Sequence, residues 1–157
     1  MERVPMTKVG ADALKKNLAY LKGEKRHQIV ATIETARAHG DLSENAEYHA
    51  AKEDQGMNEA KVKDIEDKLA RANIIEPALI KSEKVVFGAT VELMDVNNEK
   101  MLTYQIVGVD EADIEKGMVS ITSPIARALI GKEEGDTAVV LAPGGERELE
   151  IQSIAYV

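Results

Sequence analysis

Two helical patterns of similar length, separated by a few polar residues, limit what this chain can fold into more than any other feature. Between residues 11 and 38 the apolar positions Leu14, Leu18, Leu21, Ile29, Ile33 and Ala36 fall at three- and four-residue steps, as one helix face requires. Gly40 then supplies a stop, because glycine enters the left-handed region without a steric penalty. The pattern resumes at once. Tyr48, Ala51, Gln55, Asn58, Val62, Ile65, Leu69 and Ala72 form a heptad stripe that runs until Pro77, which cannot continue a helical ladder. Long helices joined by a short turn lie antiparallel, so residues 11–76 are expected to form a coiled-coil hairpin with arms of about 40 Å. A helix pair has little core of its own, and Gln55, Gly56 and Asn58 weaken its middle, so the hairpin needs a brace at its open end.

The second half supplies a different pattern. Short β-branched runs, VVFGATVELM, LTYQIVGV, MVSIT, TAVVLA and LEIQSIAYV, are separated by turn-forming Gly, Asn, Asp and Pro. Pro143-Gly144-Gly145 reads as a hairpin turn between the last two. One helix interrupts them, with Ser123 as N-cap, Pro124 at the first helical position and Gly131 as stop. The expected fold class is α+β: an N-terminal helical hairpin over residues 1–77 and a small sheet with one helix over 78–157.

With no Cys, a disulfide framework, thiolate metal sites and a Cys nucleophile are excluded. Aromatics make up 3% of the chain, which leaves a core of aliphatic residues. No stretch is apolar enough for a leader or a membrane span, and a cytoplasmic protein without a membrane partner is expected. The formal charge of −8 opposes general affinity for nucleic acid, so any such contact should be local. Basic residues outnumber acidic ones in the first arm, and acids dominate the start of the second.

The turn itself, HGDLSENAEY at 39–48, is unusually acidic. Asp41-x-x-Glu44 reads as an acidic capping box, with both carboxylates favoured by the helix dipole. Two carboxylates three residues apart across a first helical turn can also converge on one Mg²⁺ at about 2.1 Å, leaving an open shell for other ligands. Both readings stand on the residues alone. The three histidines show no zinc spacing.

GDLSENAEYHAAKEDQ at 40–55 resembles the tip motif of the Gre transcript-cleavage factors, and VVFGATVEL, VGVDEADI, SPIARALIGKEEGD and PGGERELEI resemble that family's second domain. The resemblance spans nearly the whole chain. It implies an FKBP-like second domain that binds bacterial RNA polymerase, and a finger that enters the secondary channel and stimulates cleavage of the RNA 3′ end in backtracked, arrested complexes. Asp41 and Glu44 would then help to hold a second Mg²⁺, shared with the polymerase and not bound stably by the free protein. On this resemblance the nuclease activity would belong to the polymerase, and the factor itself would be no enzyme.

Around those acids, Ser43, Asn45, Glu47 and Tyr48 are candidates for tip support. Ser43 and Asn45 equally suit helix caps, and Tyr48 suits packing between the arms. By resemblance Arg37 and Lys52 form a basic patch for the nascent RNA 3′ segment, and Ser123 and Pro124 mark a polymerase-binding loop. FKBP-like resemblance does not imply prolyl isomerase activity, because that chemistry needs an aromatic-lined pocket and this half holds only Phe87, Tyr104 and Tyr156 as aromatics. A channel-binding regulator without cleavage activity is the alternative, and a hairpin chaperone would call for an apolar tip. A finger working inside a narrow channel is expected to be a monomer.

Overall fold

A computed structural model describes residues 2–42 and 44–157, which divide into two compact units: Ala11–Arg71, and the residues up to Gly10 together with Ala72–Val157. The class is α+β, a helical hairpin in one unit and a sheet with a packed helix in the other.

The first arm of the hairpin comprises α1 (Lys8–Tyr20), whose first three residues count with the other unit, a five-residue π-helical turn (Leu21–Lys25) and α2 (Arg26–Arg37), while the second is the single helix α3 (Ala46–Arg71). The expected seam is present. Leu21, Val62 and Ile65 pack with Leu14, Leu18 and Leu69, while Ile29, Ala36 and Ala51 are also buried. The π-helical turn is a departure from the regular helix expected. Ile29 stands eight positions after Leu21, one more than a heptad, and the wide turn absorbs the extra one so that both stay on the buried face.

Both ends of the predicted hairpin also differ. The residues ahead of the first arm form a strand, β1 (Val4–Thr7), and helix α1 starts at Lys8 because the Thr7 hydroxyl accepts the Gly10 N–H at 3.1 Å, an N-cap. At the other end α3 stops at Arg71, short of Pro77, and Ala72–Ile75 forms β2. β1 and β2 pair in parallel from Val4↔Ala72 to Thr7↔Ile75, so backbone pairing overrides the helical stripe at Ala72.

The remaining strands are β3 (Thr90–Asp95), β4 (Met101–Val107), β5 (Met118–Ser120), β6 (Thr137–Ala142) and β7 (Gly145–Ala155), in the order β5-β4-β3-β7-β6. Within this five-stranded sheet, among the described residues, β4–β5 is the one parallel pair. Helix α4 (Pro124–Leu129) buries Ala126 and Leu129 among Val91, Leu93, Val140 and Ile151 in the core. Ser123 caps α4 through its hydroxyl, which accepts the Ala126 N–H at 3.2 Å, and Pro143-Gly144 makes the β6–β7 turn. VVFGATVELM is only partly strand; Val85 and Ala89 are buried ahead of β3, in the loop.

One carboxylate ties β1 to the end of β4. Glu111 accepts the Thr7 N–H at 2.9 Å and the Gly108 N–H at 2.8 Å, and it also pairs with the Thr7 hydroxyl. The approach is close enough that a Cβ on Gly108 would lie 2.5 Å from the Pro5 carbonyl oxygen. Glu111→Ala is therefore expected to destabilise the sheet-bearing unit by about 2–4 kcal/mol, through lost charge-assisted hydrogen bonds and stranded N–H groups. Gly108→Ala should cost at least about 1 kcal/mol through overpacking. Urea unfolding followed on a sheet signal measures both, and wild-type midpoints would rule out the clasp.

Candidate functional site at the hairpin tip

At the tip the first arm ends by tightening: the N–H groups of Ala38, His39 and Gly40 bond to the carbonyls of Glu34, Ala36 and Arg37, and Gly40 takes φ +109°. Gly40 therefore acts as the predicted stop. The second arm does not resume at once. Helix α3 starts at Ala46, and its N-cap is Asn45, whose Oδ1 accepts the Tyr48 N–H at 3.0 Å. The same side chain reaches back across the turn, where Nδ2 donates to the Ala36 carbonyl at 2.6 Å. One carboxamide thus caps α3 and fastens it to the end of α2.

This arrangement corrects the acidic capping box. Asp41 and Glu44 lie in the turn ahead of α3, not in its first helical turn, because an amide can serve both an N–H and a carbonyl, whereas a carboxylate only accepts. Both are exposed, and with His39, Asn45, Ala46 and Glu47 they line an open concavity of about 420 Å³. His39 Nε2 lies 3.6 Å from Glu47 Oε2, an ion pair when the imidazole is protonated. Among the described residues no group of three or more His, Cys, Asp or Glu could hold a metal ion.

The other candidates are distributed unevenly. Ser43 lies outside the described residues. Tyr48 is half-buried, with its ring edge-to-face on the neighbouring His49 of the same helix at 5.6 Å and 66°. Arg37, in the last turn of α2, and Lys52 are both exposed; Lys52 Nζ donates to Gln55 Oε1 at 3.0 Å. Ser123 and Pro124 belong to the other unit, where they start α4. The twin role of Asn45 was not visible beforehand, although Asn directly ahead of a helical run is a cap signal.

Below the tip the basic first arm meets the acidic second arm. Lys22–Glu66 at 3.5 Å, Lys25–Asp54 at 3.8 Å and Arg26–Glu59 at 2.6 Å cross between them. The last is bidentate, with Arg26 Nη2 donating to Glu59 Oε2 at 2.7 Å. Hydrogen bonding with Glu59 raises the Arg26 pKa, and hydrogen bonding with Arg26 lowers that of Glu59. Such exposed pairs set alignment more than stability.

Sequence comparison identifies the class. Residues 4–74 match the profile described as transcription elongation factor, N-terminal, and residues 80–156 match the GreA/GreB C-terminal profile. The chain belongs to the GreA/GreB family of transcription elongation factors. It is 55% identical over 157 residues to transcription elongation factor GreA of Alkalilimnicola ehrlichii, covering 99% of each chain. Against GreA of Ralstonia nicotianae it is 54% identical over 158 residues, covering all of both. Among solved structures, Gfh1 of Thermus thermophilus is 28% identical with TM-score 0.44, covering 98% of this chain and 99% of that one. GreA/GreB of Nitrosomonas europaea is 20% identical with TM-score 0.43, covering 99% and 100%. Among the described residues no helix is long and apolar enough to cross a membrane.

Asn45→Ala is expected to lower hairpin stability by about 1 kcal/mol, and Asn45→Asp should also lower it, because it keeps the acceptor for the Tyr48 N–H but replaces the donor to the Ala36 carbonyl with an oxygen that can only accept. Thermal unfolding followed by helical circular dichroism compares them, and equal midpoints would remove Asn45 as the cap.

Proposed function

We propose that this chain is a transcript-cleavage factor that binds bacterial RNA polymerase in the cytoplasm, acts as a monomer, and passes its hairpin tip through the secondary channel to a backtracked RNA 3′ end. The observation that carries the reading is the placement of Asp41 and Glu44, two exposed carboxylates lining one concavity in a turn that Asn45 fastens, within a family of elongation factors.

Asp41 and Glu44 would hold one side of a Mg²⁺ whose other ligands come from the polymerase and the RNA. Bound there, the ion would supply charge stabilisation and an activated water for phosphodiester hydrolysis. This chain's part is to bring anionic oxygens and hold them still. Asn45 holds the turn, and Glu47 and Tyr48 support it from the first turns of α3. Arg37 and Lys52, exposed near the tip, would meet RNA phosphates, and the Ser123-Pro124 helix start would contact the polymerase. The chain has no nuclease role alone, because its donor set is incomplete without the partner. An alternative reading, a channel-binding regulator that does not promote cleavage, is decided by the tip.

Asp41→Asn and Glu44→Gln are each expected to reduce stimulated cleavage in a halted complex roughly 10- to 100-fold. Polymerase affinity should remain within about twofold, and raised Mg²⁺ should partly restore the rate. Full stimulation by both variants would overturn the metal role. Polymerase binding by the wild-type chain without any cleavage would instead support the regulator.

A further inference from the structure

The two arms of the hairpin keep different counts. On α3 the buried residues Ala51, Asn58 and Ile65 stand seven apart, an unbroken heptad. On the first arm Ile29 and Ala36 also stand seven apart, but Leu21 and Ile29 stand eight apart. Over eight residues a regular α-helix would carry Ile29 about 80° away from Leu21, whereas seven would leave it within about 20°. Yet both are buried, at 7% and 4% exposure. The first arm therefore holds one residue beyond its seam, and the π-helical turn at Leu21–Lys25 takes it up.

Nothing in the apolar pattern alone dictates where that extra residue sits. Asn58 does. Its side chain is 3% exposed in the seam of α3, and Nδ2 donates across to the Leu21 carbonyl at 3.1 Å, at the first residue of the wide turn. Its Oδ1 has no hydrogen-bond partner, so the amide is kept at a cost that Leu at the same heptad position would avoid. A polar residue that costs stability in a helical seam is the kind that specifies register. Gly23, inside the turn, has nothing within 4 Å of where a Cβ would stand.

We propose that Asn58 is a positioning residue: by bonding the Leu21 carbonyl it pins the extra residue of the first arm at Leu21–Lys25 and so sets the rotational phase of α2 beneath the tip carboxylates. The activity arm of its test rests on the transcript-cleavage reading; the structural arm does not.

The chain has no cysteine, so spin labels on cysteines placed at Ala31 and Ala50, exposed residues lining one groove between the arms, report the phase. Wild type should give a single narrow distance. Asn58→Leu should melt at or above wild type yet broaden or shift that distance by about 5 Å, as a one-residue change of phase requires. Its stimulated cleavage rate at saturating factor should fall roughly 10- to 100-fold with half-saturation unchanged. Deleting Gly23 in the Asn58→Leu background makes the first-arm seam seven-spaced throughout, and should restore both the narrow distance and most of the rate. An Asn58→Leu variant with the wild-type distance overturns the proposal, as does a deletion that fails to restore it. Should the wild-type chain stimulate no cleavage, the cleavage reading fails and the distances alone decide.

Discussion

The parallel pairing of β1 with β2 is the constraint from which the rest of the fold follows. These strands flank the helical hairpin in sequence: α1 starts directly after Thr7 and β2 directly after Arg71. A parallel pair needs a long crossover between its strands, and here that crossover is the entire hairpin. Glu111 adds the tertiary lock, because one carboxylate collects the Thr7 N–H, the Thr7 hydroxyl and the Gly108 N–H. Thr7 in turn caps α1 through the Gly10 N–H. Strand pairing, helix initiation and the end of β4 thus share a single side chain.

Within the hairpin, stability and alignment come from different interactions. The aliphatic seam supplies the burial, while the exposed cross-arm ion pairs and the Asn58 amide choose which residues face each other. At the tip the division recurs. Asn45 does the structural work by capping α3 and reaching the Ala36 carbonyl, and the exposed carboxylates Asp41 and Glu44 line the concavity beside it.

Much of this was legible beforehand because it depends on local pattern. Apolar periodicity marked both arms, Gly40 marked the turn, and Ser123-Pro124 with Gly131 bounded α4, each through backbone preferences acting within a few residues. Asp41 and Glu44 stood out as acids in a turn with little to bury. The errors fell where a distant partner decides. Ala72 fits a helical stripe, yet its backbone pairs with Val4; Asp41 suits a capping box, yet an amide that also reaches Ala36 holds the cap.

By itself the sequence determined the two-armed helix, the strand-rich second half, the acidic turn and, through long motifs, the family, because periodicity and motif are properties of neighbouring residues. Tertiary structure alone decided that β1 pairs with β2, that Glu111 clasps Thr7, and that Asn58 meets Leu21 at the wide turn. Each of those contacts joins groups far apart in the chain. Their energy depends on a donor and an acceptor arriving at about 3 Å from separate elements, a distance that no local pattern encodes.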